Sequence, residues 1–83
     1  MVNVGDTVYY SDSERYYCVL DLKVSEIIIS AESIQYNCVL IDGNGDIADD
    51  FEFDESNFGK VIFLAKDEAE QALKESGDRH VPL

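Results

Sequence analysis

The stretch 36–53, YNCVLIDGNGDIADDFEF, decides the fold, because it places two extended segments on either side of a tight turn. The tetrapeptide Asp42-Gly43-Asn44-Gly45 is made of residues that tolerate positive φ, which is a strong β-hairpin signal between alternating segments. The strand before the turn contains Tyr36–Ile41, and the strand after it runs from about Asp46 to Phe53. The hairpin predicts a mainly β protein.

Further strands surround this hairpin on both sides. Thr7–Tyr10 follows the turn-forming pair Gly5-Asp6, and a long extended segment from about Tyr16 to Ser30 alternates with a period of two. The run Ile27-Ile28-Ile29 breaks that alternation, which predicts a bulge or a bend. A fifth, short strand is expected at Val61–Leu64. The fold class is therefore mainly β (α+β): a small five-stranded SH3-like barrel, or a curved antiparallel sheet, with an OB-like barrel as a further alternative.

The segment 66–76, KDEAEQALKES, predicts one C-terminal helix, since it combines good helix formers with acidic residues in the first turn. Gly77 is the expected stop. An apolar stripe of Ala69, Ala72 and Leu73 would pack on the sheet. The chain is predicted to be one domain, 1–77, followed by a flexible tail, 78–83.

The composition limits the kind of partner. Among 83 residues, 18 are acidic and six are basic, so the formal net charge is −12. Such a charge repels phosphates and anionic membrane surfaces, and it favours a basic protein surface as the partner, with no direct nucleic acid and no membrane. The sequence shows no secretion signal or membrane span, so we expect a cytoplasmic protein. Cys18 and Cys38 are expected to be free thiols.

Catalytic groups are scarce. The single histidine, His80, lies in the predicted tail, and no glycine-rich phosphate-binding spacing is present. The string DGNGDI overlaps part of a calcium-loop pattern, but Leu40 and Phe51 stand where that pattern needs carboxylates. We therefore predict no enzyme activity, no metal site and no cofactor.

Carboxylates are the most distinctive feature of the chain, because no lysine or arginine occurs between Val24 and Gly59. If the strand after the turn is regular, Asp50, Glu52 and Asp54 point to one face and are about 6.7 Å apart along the strand. Two interpretations compete: a solvated face that protects a strand edge, or a binding face for a basic groove. The candidate partner-binding carboxylates are Asp42, Asp46, Asp49, Asp50, Glu52, Asp54 and Glu55.

Tyrosines form a second candidate surface, since all five lie in the first half of the chain. Adjacent tyrosines in a strand face opposite sides, so one of each pair is expected at the rim. Tyr9 and Tyr17 are the candidate anchors for a peptide or partner, in an adaptor or structural interaction module. The alternative is that the tyrosines fill the core. A homodimer through an exposed strand or the helix stripe stays an open alternative.

The segments VGDTVYY (4–10) and FGKVIFLAKDEAEQAL (58–73) resemble a group of short phage and mobile-element proteins. In that group a GDxVYY strand opens a small barrel, and a GKxVFL strand runs into an EEAExAL-type helix. Ala65 departs from the pattern, which has a serine or threonine helix cap. The resemblance implies a phage-encoded inhibitor, such as an anti-CRISPR protein that mimics nucleic acid with its acidic face.

Overall fold

The computed structural model describes residues 2–80, with side chains described as far as Glu75. Its elements, in chain order, are the strands β1 Thr7–Asp12, β2 Cys18–Ile29, β3 Ile34–Ile41, β4 Ile47–Asp54 and β5 Ile62–Phe63, with the helix α1 at Lys66–His80. A 3₁₀ turn, Glu55–Asn57, follows β4.

All five strands belong to one antiparallel sheet in the order β4-β3-β2-β1-β5. Within the described residues, β4 and β5 form the two edges and do not pair with each other, so the sheet is not a closed barrel. The prediction of a mainly β fold with one C-terminal helix is confirmed. Of the forms considered, the structure has the curved antiparallel sheet.

The sheet curves strongly around its inner face. The ring of Tyr10 on β1 lies 5.4 Å from the ring of Phe51 and 5.0 Å from that of Phe53, although two strands separate β1 from β4 in the sheet. Aromatic rings at these distances attract one another beyond the area they bury. The curvature encloses the core, whose buried members are Val8, Leu20, Leu22, Val24, Tyr36, Cys38, Phe53 and Ile62.

A bulge in β2 explains the break in its alternation. The register with β3 shifts between Val24 and Glu26, which leaves Ser25 as the extra residue. One extra residue reverses which side chains face inward, so the inner face continues with Ile27 instead of Glu26. The predicted phase change is confirmed, and its origin lies two residues before the isoleucine run.

The predicted hairpin turn between β3 and β4 is present, although within this turn positive φ occurs at Gly45 alone and not at successive residues. The amide of Asp42 donates to the carbonyl of Asp46 (2.9 Å), and Gly45 adopts a φ of 86°. A carboxylate oxygen of Asp42 also accepts the backbone N–H groups of Asn44 and Asp46, at 2.8 and 3.0 Å. The side chain of Asp42 therefore stabilises the turn itself.

Helix α1 packs on the outer face of the sheet, against β1, β2 and β5. Ala69 is fully buried, and the Ser11 hydroxyl donates to its carbonyl. The expected stripe is present, because Ala72 and Leu73 are half-buried.

The helix continues past Gly77 to His80, so the predicted stop at Gly77 is wrong. A glycine inside a helix costs only about 1 kcal/mol relative to alanine, which a helix anchored on a sheet can tolerate. The predicted tail at 78–83 therefore begins inside the helix, and its last part, 81–83, lies outside the described residues.

Candidate interaction surfaces

The outer face of β4 carries the predicted row of carboxylates. Asp50, Glu52 and Asp54 are exposed, while the intervening Phe51 is half-buried and Phe53 is buried on the inner face. The alternation that the sequence predicted for this strand is confirmed.

The seven candidate carboxylates divide into two groups. Asp42 stabilises its turn, Asp54 caps the 3₁₀ turn, and Asp49 faces the inner side. The side-chain carboxylates of the other four accept no hydrogen bond from any described residue: Asp46, Asp50, Glu52 and Glu55. Only the second group has its full hydrogen-bonding capacity available to a partner.

The Asp54 carboxylate is occupied within the chain. It accepts the Ser56 hydroxyl at 2.5 Å and the Ser56 amide at 2.9 Å, while Asn57 accepts the Asp54 amide at 2.9 Å. The hydrogen bond from the Ser56 hydroxyl is the main reason that the pKa of Asp54 lies below its usual value. Asp54 thus acts first as a structural cap.

The structure adds Glu26 to this surface. The bulge turns Glu26 to the outer face, where the side-chain amide of Asn37 donates to Glu26 Oε1 at 3.0 Å. Asn37 lies between Glu26 on β2 and Glu52 on β4. We call Glu26, Asp50 and Glu52 the outer acidic face. The lysine-free run from Val24 to Gly59 contains Glu26, but its orientation depends on the bulge.

No carboxylate of the outer acidic face forms an ion pair within 4.0 Å with another described residue. Among the described residues, the single ion pair within 4.0 Å joins Arg15 to Asp49 and lies on the opposite side of β4. Lys23 lies on the same face, opposite Val39 of β3, which is opposite Asp50 of β4. With β3 between them, the backbones of β2 and β4 are about 9.6 Å apart. The three carboxylates therefore keep a negative potential that extends into solvent.

The free edge of β4 is partly closed by side chains. The Asp50 amide donates to Asp49 Oδ1 at 2.8 Å, and the Asp54 amide donates to Asn57. An edge strand with free N–H groups is a template for strand addition, and these two donors are already used. This favours binding through the outer face over binding through the edge.

A buried carboxylate organises the loop between β1 and β2. Asp12 is 2% exposed. Its two oxygens accept the amides of Glu14 (2.9 Å), Arg15 (3.1 Å) and Tyr16 (2.9 Å). Burial alone would raise the pKa of Asp12, but these three backbone hydrogen bonds outweigh it and hold the pKa below its usual value. The loop is thus fixed by a charged group inside the protein.

This loop reaches across the sheet to β4. The Arg15 guanidinium and the Tyr16 hydroxyl both donate to Oδ2 of Asp49, at 2.5 and 3.0 Å. The Tyr16 hydrogen bond is the main cause that lowers the pKa of Asp49. The sequence grouped Asp49 with the carboxylate row, and the structure places it in a separate cluster with Arg15 and Tyr16.

The two candidate tyrosines differ in their environments. Tyr17 is 70% exposed and has a φ of 57°, a left-handed conformation that is rare for a bulky residue. Tyr9 is half-buried on the outer face, paired with Phe63 of β5. Of the two, Tyr17 is the more accessible to a partner.

Both cysteines are free thiols. Cys18 is exposed, and burial raises the pKa of Cys38 to about 11, which keeps it protonated at neutral pH. The described residues contain no group of three or more histidine, cysteine, aspartate or glutamate side chains arranged for a metal ion. Nor does the described part of the chain contain a helix long and apolar enough to cross a membrane.

The fold defines a small, mainly β protein with an open five-stranded antiparallel sheet and one helix on its outer face. Comparison of the chain with family models, with curated proteins and with solved structures finds no match.

Proposed function

We propose that this protein is a non-enzymatic binding module whose outer acidic face occupies a basic, nucleic-acid-binding groove of another protein. One observation carries the proposal: α1 contacts the outer face over β1, β2 and β5, and the uncovered part presents Glu26, Asp50 and Glu52, none of which forms an ion pair with another described residue. Like charges this close destabilise the isolated protein, and a cationic partner would remove that cost.

The geometry supports a cationic groove as the partner. Asp50 and Glu52 are about 6.7 Å apart along β4, and the Glu26 strand lies about 9.6 Å away across the sheet. Phosphates along a nucleic acid strand repeat at a similar spacing, so lysine and arginine side chains placed to contact phosphates could contact these carboxylates. The proposal places the protein in the cytosol with its partner.

The sequence likeness to short phage and mobile-element proteins extends this proposal. A small acidic protein encoded by such an element would act as an inhibitor of a host nucleic-acid-binding protein, in the manner of anti-CRISPR nucleic acid mimics. Size, charge and the outer acidic face support this interpretation.

A pull-down tests the proposal. Immobilised protein is exposed to a bacterial lysate that has been treated with nuclease, and the nuclease is inactivated before duplex DNA is added to one of two portions. The wild type should retain basic nucleic-acid-binding proteins that salt elutes and duplex DNA displaces. The variant D50N/E52Q should lose most of them. The control E32Q/E70Q makes the same charge change at exposed positions outside the outer acidic face, and it should retain them. Recovery of acidic or uncharged partners that resist salt would contradict the proposal.

A second candidate function is an adaptor that binds a peptide through tyrosine. Its support is Tyr17, an exposed aromatic side chain in a left-handed backbone conformation. Such conformations are concentrated at binding and switch regions of proteins. Y17S should abolish binding by an adaptor and leave binding through the outer acidic face largely unchanged in the same pull-down.

A further inference from the structure

The cluster of Asp49, Tyr16 and Arg15 contains a complete set of groups for holding a guanidinium. Asp49 Oδ2 accepts the Arg15 Nη1 and the Tyr16 hydroxyl, and the Arg15 guanidinium carbon lies 5.8 Å from the centre of the Tyr16 ring. A carboxylate beside an aromatic face suits arginine in particular, because the planar guanidinium pairs with the carboxylate and stacks on the aromatic ring.

We propose that Asp49 and Tyr16 form a binding site for an arginine side chain of a partner protein, and that Arg15 occupies this site in the free protein. The proposal rests on the proposed function in one respect, since it takes the partner to be basic. It adds a specific arginine site on the opposite side of β4 from the outer acidic face.

Arg15 is held weakly and is therefore displaceable. Its side chain is 66% exposed, and its ion pair uses one nitrogen and one oxygen. Exposed ion pairs of this kind contribute little to stability, whereas a two-point contact between arginine and a carboxylate is stronger. Among the described residues, only the Asp50 amide donates to Asp49 Oδ1, so this oxygen retains capacity for a second bond from an incoming arginine.

The site keeps its shape when Arg15 leaves. Asp12 fixes the loop through the amides of Glu14, Arg15 and Tyr16, and none of these bonds uses the Arg15 side chain. Asp49 stays oriented by the Tyr16 hydroxyl and the Asp50 amide. A site that is already ordered binds its ligand without the cost of arranging it.

Tyr17 provides an exposed aromatic side chain in the same loop. It follows Tyr16 directly, and its backbone is in the left-handed region while its side chain is 70% exposed. A bulky side chain held in that conformation and in solvent gains little from the fold, which is typical of residues that serve binding. We expect it to contact the partner beside the bound arginine.

The test uses two single-cation peptides, acetyl-GGRGG-amide and acetyl-GGKGG-amide, titrated into ¹⁵N-labelled protein and followed by NMR. The arginine peptide should shift the amides of Tyr16, Asp49 and Asp50 most, and the lysine peptide should bind there more weakly. R15A should tighten arginine binding about two- to fivefold, which is the equilibrium effect of removing an exposed competing ion pair.

Matched variants separate this effect from general charge. K74A removes an exposed cation on α1, so it alters the net charge as R15A does, and it should leave the affinity at Asp49 almost unchanged. D49N should abolish the shifts, whereas D46N, an equal charge change at an exposed carboxylate that accepts no hydrogen bond from a described residue, should preserve them. Equal affinities for R15A and K74A, or equal shifts for D49N and D46N, would overturn the proposal.

The two proposals fail in different ways. If D50N/E52Q loses its partners in the pull-down while R15A behaves like K74A, the outer acidic face is the binding surface and the arginine site is wrong. If the arginine peptide binds at Asp49 but D50N/E52Q retains every partner, the arginine site stands without the proposed function.

Discussion

Replacing Asp12 with alanine removes the acceptor of three backbone hydrogen bonds at a position that is 2% exposed. A hydrogen bond to a charged group contributes about 1.5–3 kcal/mol, but the three donors share one carboxylate and regain water when the loop opens. We therefore expect D12A to lower the free energy of unfolding by about 3 kcal/mol. For a chain of this length the total is roughly 4–12 kcal/mol, so the loss is a large fraction of it.

The assay is urea unfolding followed by tyrosine fluorescence, because the chain has five tyrosines and no tryptophan. With a urea m value of about 1 kcal/mol/M, the midpoint of D12A should fall by about 3 M. D42A is the matched control, since Asp42 also accepts two backbone amides but is exposed. D42A should lower the free energy of unfolding by only about 1 kcal/mol, because the amides that bond to Asp42 are already near water.

The pH dependence gives a second readout. The folded-state pKa of Asp12 lies below its usual value, so its charge contributes full stability above about pH 5. That contribution is lost as the pH falls through the lowered pKa. D12N keeps the shape of the side chain without the charge, so the gap in stability between wild type and D12N should narrow from pH 5 to pH 2. A gap independent of pH, or equal losses in D12A and D42A, would refute the reasoning.

Two further predictions test the turn and the curvature of the sheet. G45A should lower the free energy of unfolding in urea by about 1 kcal/mol, because Gly45 has a φ of 86°. G43A should lower it less, because Gly43 is not among the glycines with positive φ. Equal losses for the two variants would contradict the turn geometry. In a double-mutant cycle, Tyr10→Leu and Phe53→Leu should couple by about 0.5–1.5 kcal/mol, since their rings are 5.0 Å apart; additive losses would show that β1 and β4 do not meet.

Local patterns in the sequence determined the elements of the fold. The turn at Asp42–Gly45 and the alternation of β4 depend on neighbouring residues alone, because positive φ and the period of two are properties of the local backbone. The bulge was also visible as a change of phase at the isoleucine run. The end of the helix was predicted wrongly, because a glycine inside a helix costs only about 1 kcal/mol and does not by itself stop it at Gly77.

The tertiary structure alone decided which carboxylates are available. Asp49 and Arg15 are 34 positions apart in the sequence, and only the path of the loop over the sheet brings them together. Asp42 and Asp54 are used by their own turns, and Glu26 joins Asp50 and Glu52 because a single extra residue rotates it outward. The sequence by itself located the negative charge in the hairpin of β3 and β4; the curvature and register of the sheet divided that charge into an outer acidic face and a separate cluster at Asp49.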